Sequence, residues 1–246
     1  MRFDYDKAAE TYDKHRGGGG PYLDTLVGLA EGCGARRVLE FGAGTGNNTA
    51  AFLAAYPCDL VALELSRGML SRGAVKGIPA RWVRASAVQL PLADGCVDFV
   101  FGCYVLHHLD GLDEPCGEFA RVLRPGGAVA FVTAPFEFIE GHPMNEYFPS
   151  FARIDKARFQ GFPAIRDALQ GAGFRGVEGR TIVGSPRPVD REYVTRVASK
   201  FISTYALIPE QEFEEGLKRL RADIEPAGRL DVEIVWESLI VFAHLD

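Results

Sequence analysis

The chain is poor in cysteine, has little excess charge and contains no long apolar run. Its 246 residues include five cysteines, none of them in a C-x-x-C pair, so neither a disulfide framework nor a cysteine-built metal site is expected. The first residues lack the apolar stretch of a secretion signal, and no apolar run approaches the ~18 residues of a membrane span. These absences predict a cytoplasmic protein with reduced thiols, no metal and no membrane association.

The balance of charge is slightly acidic. Lysine and arginine number 27 against 33 aspartates and glutamates, a net charge of −6. Proteins that bind nucleic acid usually carry a basic footprint, so no nucleic-acid partner is expected. Apolar residues make up 47% of the chain. That fraction predicts a sizeable core, either in one large α/β domain or in a domain with a cap.

The chain is rich in glycine at one informative place. An apolar strand containing Glu40 runs into Gly42, Gly44 and Gly46, and a helix follows. Glycine exposes bare main chain to a ligand, and the free N–H groups of a helix start favour negative charge. This strand–turn–helix unit predicts a nucleotide site of the doubly wound kind. Its spacing is G-x-G-x-G, whereas a dinucleotide fingerprint reads G-x-G-x-x-G.

Further strands alternate with helical stretches along the chain. The strand candidates are 37–41, 59–65, 80–85, 97–103, 127–134, 174–184 and 232–243. The first five are near-continuous apolar runs, which is typical of parallel strands buried on both faces. The pattern predicts an α/β fold: a doubly wound, Rossmann-like, seven-stranded and mostly parallel sheet, with a helical cap inserted late in the chain.

Four ordered motifs resemble those of one family. They are the segment Glu40 to Gly46, the acidic Glu64 near the end of the second strand, the segment Arg84 to Asp98 with its "L-P-L-A-D" turn, and the "R-V-L-R-P-G-G" stretch at 121–127. Together they resemble the class I S-adenosylmethionine (SAM) dependent methyltransferases of the small-molecule type, over most of residues 1–135. The resemblance implies a methyltransferase with SAM as cofactor and S-adenosylhomocysteine (SAH) as product.

The resemblance also implies a cofactor site. In the family the position of Glu64 binds the ribose, and an aspartate that contacts the adenine usually stands where this chain has Ser86. The predicted cofactor-binding residues are Tyr12, Arg16, Glu40, Gly42, Gly44, Gly46, Asn48, Glu64, Leu65, Met69, Ser86, Ala87 and Cys103.

The N-terminal segment is predicted to be a helix over 4–16. Its Tyr12 and Arg16 lie four residues apart, hence on one helical face, and resemble the "Y-D-x-x-R" of many relatives. One interpretation is a lid in which Arg16 contacts the methionine carboxylate of SAM, hinged at the glycine run 17–20. The other is an ordinary amphipathic helix that packs through its tyrosines.

Methyl transfer from SAM does not require a dedicated catalytic side chain. The cofactor carries the reactivity, and the protein supplies binding, alignment and exclusion of water. His107 follows the fourth strand and is the candidate catalytic residue, either as a general base or as pocket lining. Aromatic residues crowd the segment after the fifth strand, where prolines and glycines predict an irregular loop that walls a pocket for a small, partly apolar acceptor.

The predicted organisation has four parts. They are an N-terminal lid helix with a glycine hinge (1–20), a SAM-binding α/β core (21–184), a helical cap (185–230) and a final sheet strand (231–246). Three other functions stay open beside methyl transfer: aminopropyl transfer on the same fold, a nicotinamide oxidoreductase, and a non-enzymatic SAM- or SAH-binding module.

Overall fold

The structure, a computed structural model, describes residues 4–10, 12–14 and 17–246. The strands are β1 (Arg37–Phe41), β2 (Asp59–Glu64), β3 (Arg81–Arg84), β4 (Val97–Cys103), β5 (Leu123–Thr133), β6 (Phe174–Asp190) and β7 (Arg229–Leu245). The helices are α1 (Tyr5–Ala8), α2 (Leu23–Gly32), α3 (Asn47–Ala55), α4 (Arg67–Ala74), α5 (Asp113–Val122), α6 (Phe136–Gly141), α7 (Phe151–Arg158), α8 (Phe162–Gly171), α9 (Arg191–Ala198), α10 (Ser203–Leu207) and α11 (Glu210–Ile224). Short 3-10 helices cover Tyr12–Lys14, Leu106–His108 and Pro143–Glu146.

The seven strands form one sheet in the order β3-β2-β1-β4-β5-β7-β6. Strands β1 to β5 pair in parallel, and β7 pairs antiparallel to β5. The predicted doubly wound, mostly parallel sheet is therefore confirmed. The chain order reverses between β1 and β4, and in doubly wound sheets ligands bind outside the carboxyl ends of the strands at such a switch point.

Both faces of the central strands are buried. On one face Phe41 and Phe131 pack against α5 and α8, with their ring centroids 5.7 Å apart. On the other face Phe52 of α3 packs against Phe101, with 4.7 Å between the centroids. Burial on both faces is what the near-continuous apolar runs predict, and it fixes the carboxyl edge of the sheet as a rigid platform.

Asp98 explains part of the fourth motif. Its Oδ2 accepts hydrogen bonds from the backbone N–H groups of Arg36 and Arg37 at 2.8 and 2.7 Å, and its Oδ1 accepts one from Nε of Arg124 at 2.7 Å. This carboxylate thus ties the "R-P-G-G" turn to the start of β1. The motif is a structural clamp at the end of the sheet away from the glycine turn.

The chain divides into two compact units. The sheet unit comprises, among the described residues, 4–133, 160–182 and 238–246, and the helical unit comprises 134–159 and 183–237. The sequence prediction places 134–159 in the core instead, and this boundary is corrected. The reason is packing: Phe148 and Phe151 of that segment share a buried cluster with Tyr205 and Phe213 of the later helices.

Two local predictions also need correction. The predicted helix over 4–16 is replaced, in its described part, by α1 and the short 3-10 helix Tyr12–Lys14. The segment after β5, predicted to be irregular, contains α6, a 3-10 helix and α7. Its prolines do not prevent this, because Pro143 occupies the first turn of a helix, where a missing N–H costs nothing.

Candidate active site

Three glycines shape the turn between β1 and α3, and their surroundings differ. Gly42 has φ +66°, and an added Cβ would lie 2.2 Å from Cγ2 of Val105. Gly46 packs in a similar way, at 2.7 Å from the ring of Trp82. By contrast, an added Cβ at Gly44 would meet no atom of the described residues within 4 Å. Gly44 therefore presents bare backbone to open space, which the close approach of a nucleotide requires.

Glu64 lies beside this open space, at the carboxyl end of β2. Its Oε2 accepts a hydrogen bond from the N–H of Gly44 at 2.8 Å, and its Oε1 accepts one from the N–H of Ser66 at 2.7 Å. Burial raises the pKa of Glu64, while these amide hydrogen bonds oppose the rise. A carboxylate has about four acceptor positions, so two amide donors leave room for the hydroxyl groups of a ligand.

Apolar side chains at the edge of β2 and β3 remain exposed. Leu65, directly after Glu64, is 60% exposed, and Val88 is 43% exposed. Ser86 follows β3, and its Oγ accepts a long hydrogen bond of 3.4 Å from the N–H of Val88. Ala87 is buried. The edge beside the Glu64 carboxylate thus offers apolar surface and one hydroxyl group.

Two predicted residues of the site lie beneath the turn. Glu40 is only 1% exposed, and its Oε2 accepts a hydrogen bond of 2.5 Å from Oγ1 of Thr49. Burial, together with the smaller effect of the Glu64 charge, raises the pKa of Glu40 to about 8, although the hydrogen bond from Thr49 opposes the rise. Cys103 is also buried, and burial raises its thiol pKa well above the usual range. Both groups are neutral at pH 7. Because both are buried beneath the glycine turn, they stabilise it.

Tyr104 stands in an unusual backbone conformation directly after β4. Its φ is +51°, a region that non-glycine residues adopt rarely and mostly at functional sites. Its hydroxyl group is 2.7 Å from Oγ of the fully buried Ser238. Its ring meets that of Tyr22 edge to face at 6.0 Å. These contacts hold a strained residue at the carboxyl edge of the sheet.

The N-terminal strap, meaning the described residues between 4 and 14, is bonded to the glycine turn. The Oδ1 of Asp13 accepts hydrogen bonds from Oγ1 of Thr45 at 2.5 Å and from Nδ2 of Asn47 at 3.0 Å. Its Oδ2 pairs with Nζ of Lys76 at 2.8 Å. Partial burial would raise the pKa of Asp13, but these donors outweigh it and lower that pKa.

The strap has two further attachments. The Oδ1 of Asp6 accepts hydrogen bonds from Oγ of Ser66 at 2.6 Å and from the N–H of Gly68 at 2.7 Å, at the start of α4. The hydroxyl group of Tyr5 is 2.7 Å from Nε2 of His108. The strap therefore contacts the glycine turn, the segment after β2 and the segment after β4.

His107, the candidate catalytic residue, lies in the 3-10 helix that follows β4. Its ring and the ring of His108 lie side by side, with centroids 3.9 Å apart. The short 3-10 turn brings both imidazoles together. A role for His107 as a base or as pocket lining stays a prediction.

Several predicted residues lie apart from the open space. Met69 is 1% exposed within α4, which places its side chain in the core. The Oδ1 of Asn48 accepts hydrogen bonds from the N–H of Gly19 and the hydroxyl group of Tyr22, so this side chain fastens the glycine run to α3. Tyr12 belongs to the strap, and Arg16 lies outside the described residues.

Sequence reasoning missed the acidic residues of the strap. Asp13 stands inside the "Y-D-x-x-R" motif, so its position was visible, but only the tyrosine and the arginine received roles. Asp6 gave no signal, because its partners Ser66 and Gly68 are about 60 residues away in the chain.

Among the described residues, no group of three or more His, Cys, Asp or Glu could hold a metal ion. No helix in the described part is long and apolar enough to cross a membrane.

Comparisons with known proteins agree with this geometry. The family described as "Methyltransferase domain" matches residues 39–131. A demethylmenaquinone methyltransferase of Beutenbergia cavernae is 31% identical over 167 residues, which cover 60% of this chain and 69% of the relative. A malonyl-(acyl-carrier protein) O-methyltransferase of Methylococcus capsulatus is 33% identical over 147 residues, 53% of each chain.

Solved structures share the fold. A crystal structure from Anabaena variabilis, described as a methyltransferase of an antibiotic biosynthesis pathway, has a TM-score of 0.70 at 22% identity. The match covers 89% of this chain and 95% of that one. This likeness concerns the fold alone.

The chain belongs to the class I SAM-dependent methyltransferases. Membership confirms the predicted family, the methyltransferase class and SAM as its cofactor. The matched part covers only 34%, 53% and 57% of the length of three of the curated relatives.

Proposed function

We propose that this protein transfers the methyl group of SAM to a small, partly apolar acceptor. The observation that carries the proposal is the carboxyl edge of β1 and β2, where the bare backbone of Gly44 and the carboxylate of Glu64 share one open space. A ribose has adjacent hydroxyl donors, and a carboxylate with free acceptor positions is their natural partner.

The residues present fit the cofactor. Glu64 would hold the ribose hydroxyls, the backbone of Gly44 would allow the close approach of the ligand, and Leu65, Val88 and Ser86 would contact the adenine. When bound, SAM supplies an electrophilic methyl group on a sulfonium. The protein's own contribution is to bind, to orient and to exclude water, so no catalytic side chain is needed for the displacement.

The strap serves as a lid on the cofactor site. Asp13 and Asp6 fasten it at the glycine turn and at the start of α4, on either side of Glu64. Exposed hydrogen bonds and ion pairs of this kind are individually weak, so a segment held by a few of them opens and closes readily. The lid admits SAM when open and excludes water when closed.

The names of two relatives suggest candidate acceptors. One is named for demethylmenaquinone and another for malonyl-(acyl-carrier protein), and the test below includes one acceptor for each name. The cytoplasmic location and the lack of a nucleic-acid partner stay predictions.

The test is a transfer assay with methyl-labelled SAM. The acceptor panel contains a naphthoquinol, a simple phenol and a malonyl thioester, and the Gly44→Asp variant serves as the blank. The proposal expects label on the apolar ring acceptor with the native protein and none with the variant. Label on no acceptor, in a protein that binds SAH, would favour the non-enzymatic binding module instead.

A further inference from the structure

His142 is a buried histidine in the helical unit, between α6 and the 3-10 helix that follows. It is 3% exposed, and its Nδ1 accepts a hydrogen bond from the N–H of Met144 at 3.2 Å. Burial lowers the pKa of His142 to about 4, so the ring is neutral at pH 7. Because the lone pair of Nδ1 is engaged, the single ring proton resides on Nε2.

That Nε2–H group is an unpaired donor. It is buried, and it has no hydrogen-bond partner among the described residues. Buried polar groups in native proteins are nearly always paired, because an unpaired one forfeits its hydrogen bonds to water without replacement. An unpaired donor that a fold retains is therefore a reason to look for a partner outside the chain.

Three aromatic rings pack around the imidazole of His142. Phe151 stacks on the imidazole, with 4.9 Å between the centroids and 27° between the planes. Phe138 at 5.3 Å and Trp236 at 6.4 Å stand nearly perpendicular to it, at 82° and 83°. Phe138 and Trp236 are only partly buried, whereas Phe151 is buried. Flat apolar walls around a single polar group are characteristic of a site for a small apolar ligand.

We propose that these rings form a binding site for a flat ring compound carrying a carbonyl or phenolic oxygen, and that Nε2–H of His142 donates a hydrogen bond to that oxygen. All four residues belong to the helical unit, so the proposal goes beyond the proposed function and does not depend on it. His142 determines specificity, since a site with a buried donor rejects an analogue that lacks the matching oxygen.

The tautomer defines what His142 does there. With its proton on Nε2 and Nδ1 engaged by Met144, the ring donates a hydrogen bond and has no lone pair on Nε2 to remove a proton. His142 therefore orients the oxygen of the ligand. It is not a general base.

The experiment compares two probes of nearly the same shape. The first, 1-tetralone, carries a ketone oxygen on a ring, and the second, tetralin, lacks that oxygen. Binding is followed by the fluorescence of Trp236 in a Trp82→Phe background, where the second tryptophan of the chain no longer contributes. We expect 1-tetralone to bind about tenfold more tightly than tetralin, as one buried hydrogen bond provides.

Two variants test the role of the donor. His142→Phe keeps a flat ring and removes the N–H, so it should abolish the preference for 1-tetralone while tetralin binds as before. The variant removes an unpaired buried donor but also removes the acceptor of the Met144 N–H, so the preference between the probes, and not the melting temperature, tests the proposal. His142→Gln keeps an N–H donor and should restore part of the preference. A purely structural histidine would change the melting temperature and leave the preference intact.

Nuclear magnetic resonance of the native protein gives a test that needs no variant. The ¹⁵N shifts of His142 should show a protonated Nε2 and an unprotonated Nδ1, and the Nε2–H proton should move downfield on addition of 1-tetralone. Equal binding of both probes, or an Nε2–H signal unchanged by saturating 1-tetralone, would overturn the proposal.

These measurements involve neither SAM nor methyl transfer, so the two proposals can fail separately. Preference for 1-tetralone in a protein that methylates nothing would contradict the proposed function alone. Methyl transfer by a protein that binds both probes equally would contradict the assignment of His142 alone.

Discussion

The Oε2 of Glu64 accepts a hydrogen bond from the backbone N–H of Gly44 at 2.8 Å, which couples the second motif of the chain to the first. These residues lie 20 positions apart in sequence, Gly44 in the turn after β1 and Glu64 at the end of β2, the adjacent parallel strand. The carboxylate that would bind the ribose thus also sets the position of the glycine turn. A change at Glu64 is therefore expected to affect the site through both contacts.

Replacing Glu64 by alanine should weaken the binding of SAH by about 1–3 kcal/mol, the usual cost of leaving hydrogen-bond partners unpaired. Glu64→Gln should lose less, because its amide oxygen still accepts a hydrogen bond. Calorimetric titration of both variants measures the effect. Equal affinity of Glu64→Ala and the native protein would remove Glu64 from the ribose role.

Gly44→Asp should abolish SAH binding without preventing folding. The added side chain enters open space, and aspartate tolerates a positive φ better than most residues. The carboxylate then occupies the place where bare backbone meets the ligand. Gly34→Asp is the matched control, since Gly34 also has a positive φ and open space but lies before β1, at the opposite edge of the sheet. Only the first variant should lose SAH.

Deletion of residues 1–16 should lower the affinity for SAH while the sheet unit stays folded, and it should speed SAH release. The reason is that the strap contributes contacts across the site and little of the core. Stopped-flow fluorescence can follow release, because Trp82 packs against Gly46 of the glycine turn.

A single substitution tests one attachment of the strap. Asp13→Asn removes the charge that pairs with Lys76 and should have a smaller effect in the same direction, up to about 1 kcal/mol. Asp24→Asn, at an exposed position on α2, is the control. An SAH release rate unchanged by the deletion would mean that the strap is an ordinary packed segment.

Glu40→Gln should raise the stability of the protein at alkaline pH. The pKa of Glu40 is about 8 in the folded protein and ordinarily about 4.5, so the folded state binds the extra proton between these values. The contribution of Glu40 to stability is then fully present below about pH 4.5 and is lost as the pH rises through 8. The glutamine variant should melt at a higher temperature than the native protein near pH 9 and at a similar one near pH 5.

Thermal unfolding across this pH range measures the effect, with Glu31→Gln on the surface of α2 as the control. A difference in melting temperature that does not change with pH would show that Glu40 is ionised in the folded state.

The sequence predicts those parts of the molecule that a local pattern encodes. The apolar runs predict the five parallel strands, two further strand-like runs predict β6 and β7, and the glycine spacing predicts the turn that contains Gly44. The helices after β5 were not predicted, because Pro143 and Pro149 are typical of loops. In the structure Pro143 begins a 3-10 helix and Pro149 precedes α7. Whether a helix forms in this segment depends on the side chains that pack against it, and those belong to residues distant in the sequence.

The contacts that define the site in detail were the least predictable. Asp6 reaches Ser66, and Tyr5 reaches His108, across 60 and 103 positions of the chain. Such pairs leave no periodic trace in a single sequence. The burial that raises the pKa of Glu40 and leaves Nε2 of His142 without a partner among the described residues likewise follows only from the folded chain.

Calorimetric titration of the purified protein with SAH, with NADH as the control ligand, tests the central claim most directly. The account predicts micromolar binding of SAH at one site, no signal with NADH, and loss of the SAH signal in Gly44→Asp. Binding of NADH, or SAH binding that Gly44→Asp leaves unchanged, would contradict the placement of a SAM site at the carboxyl edge of β1 and β2.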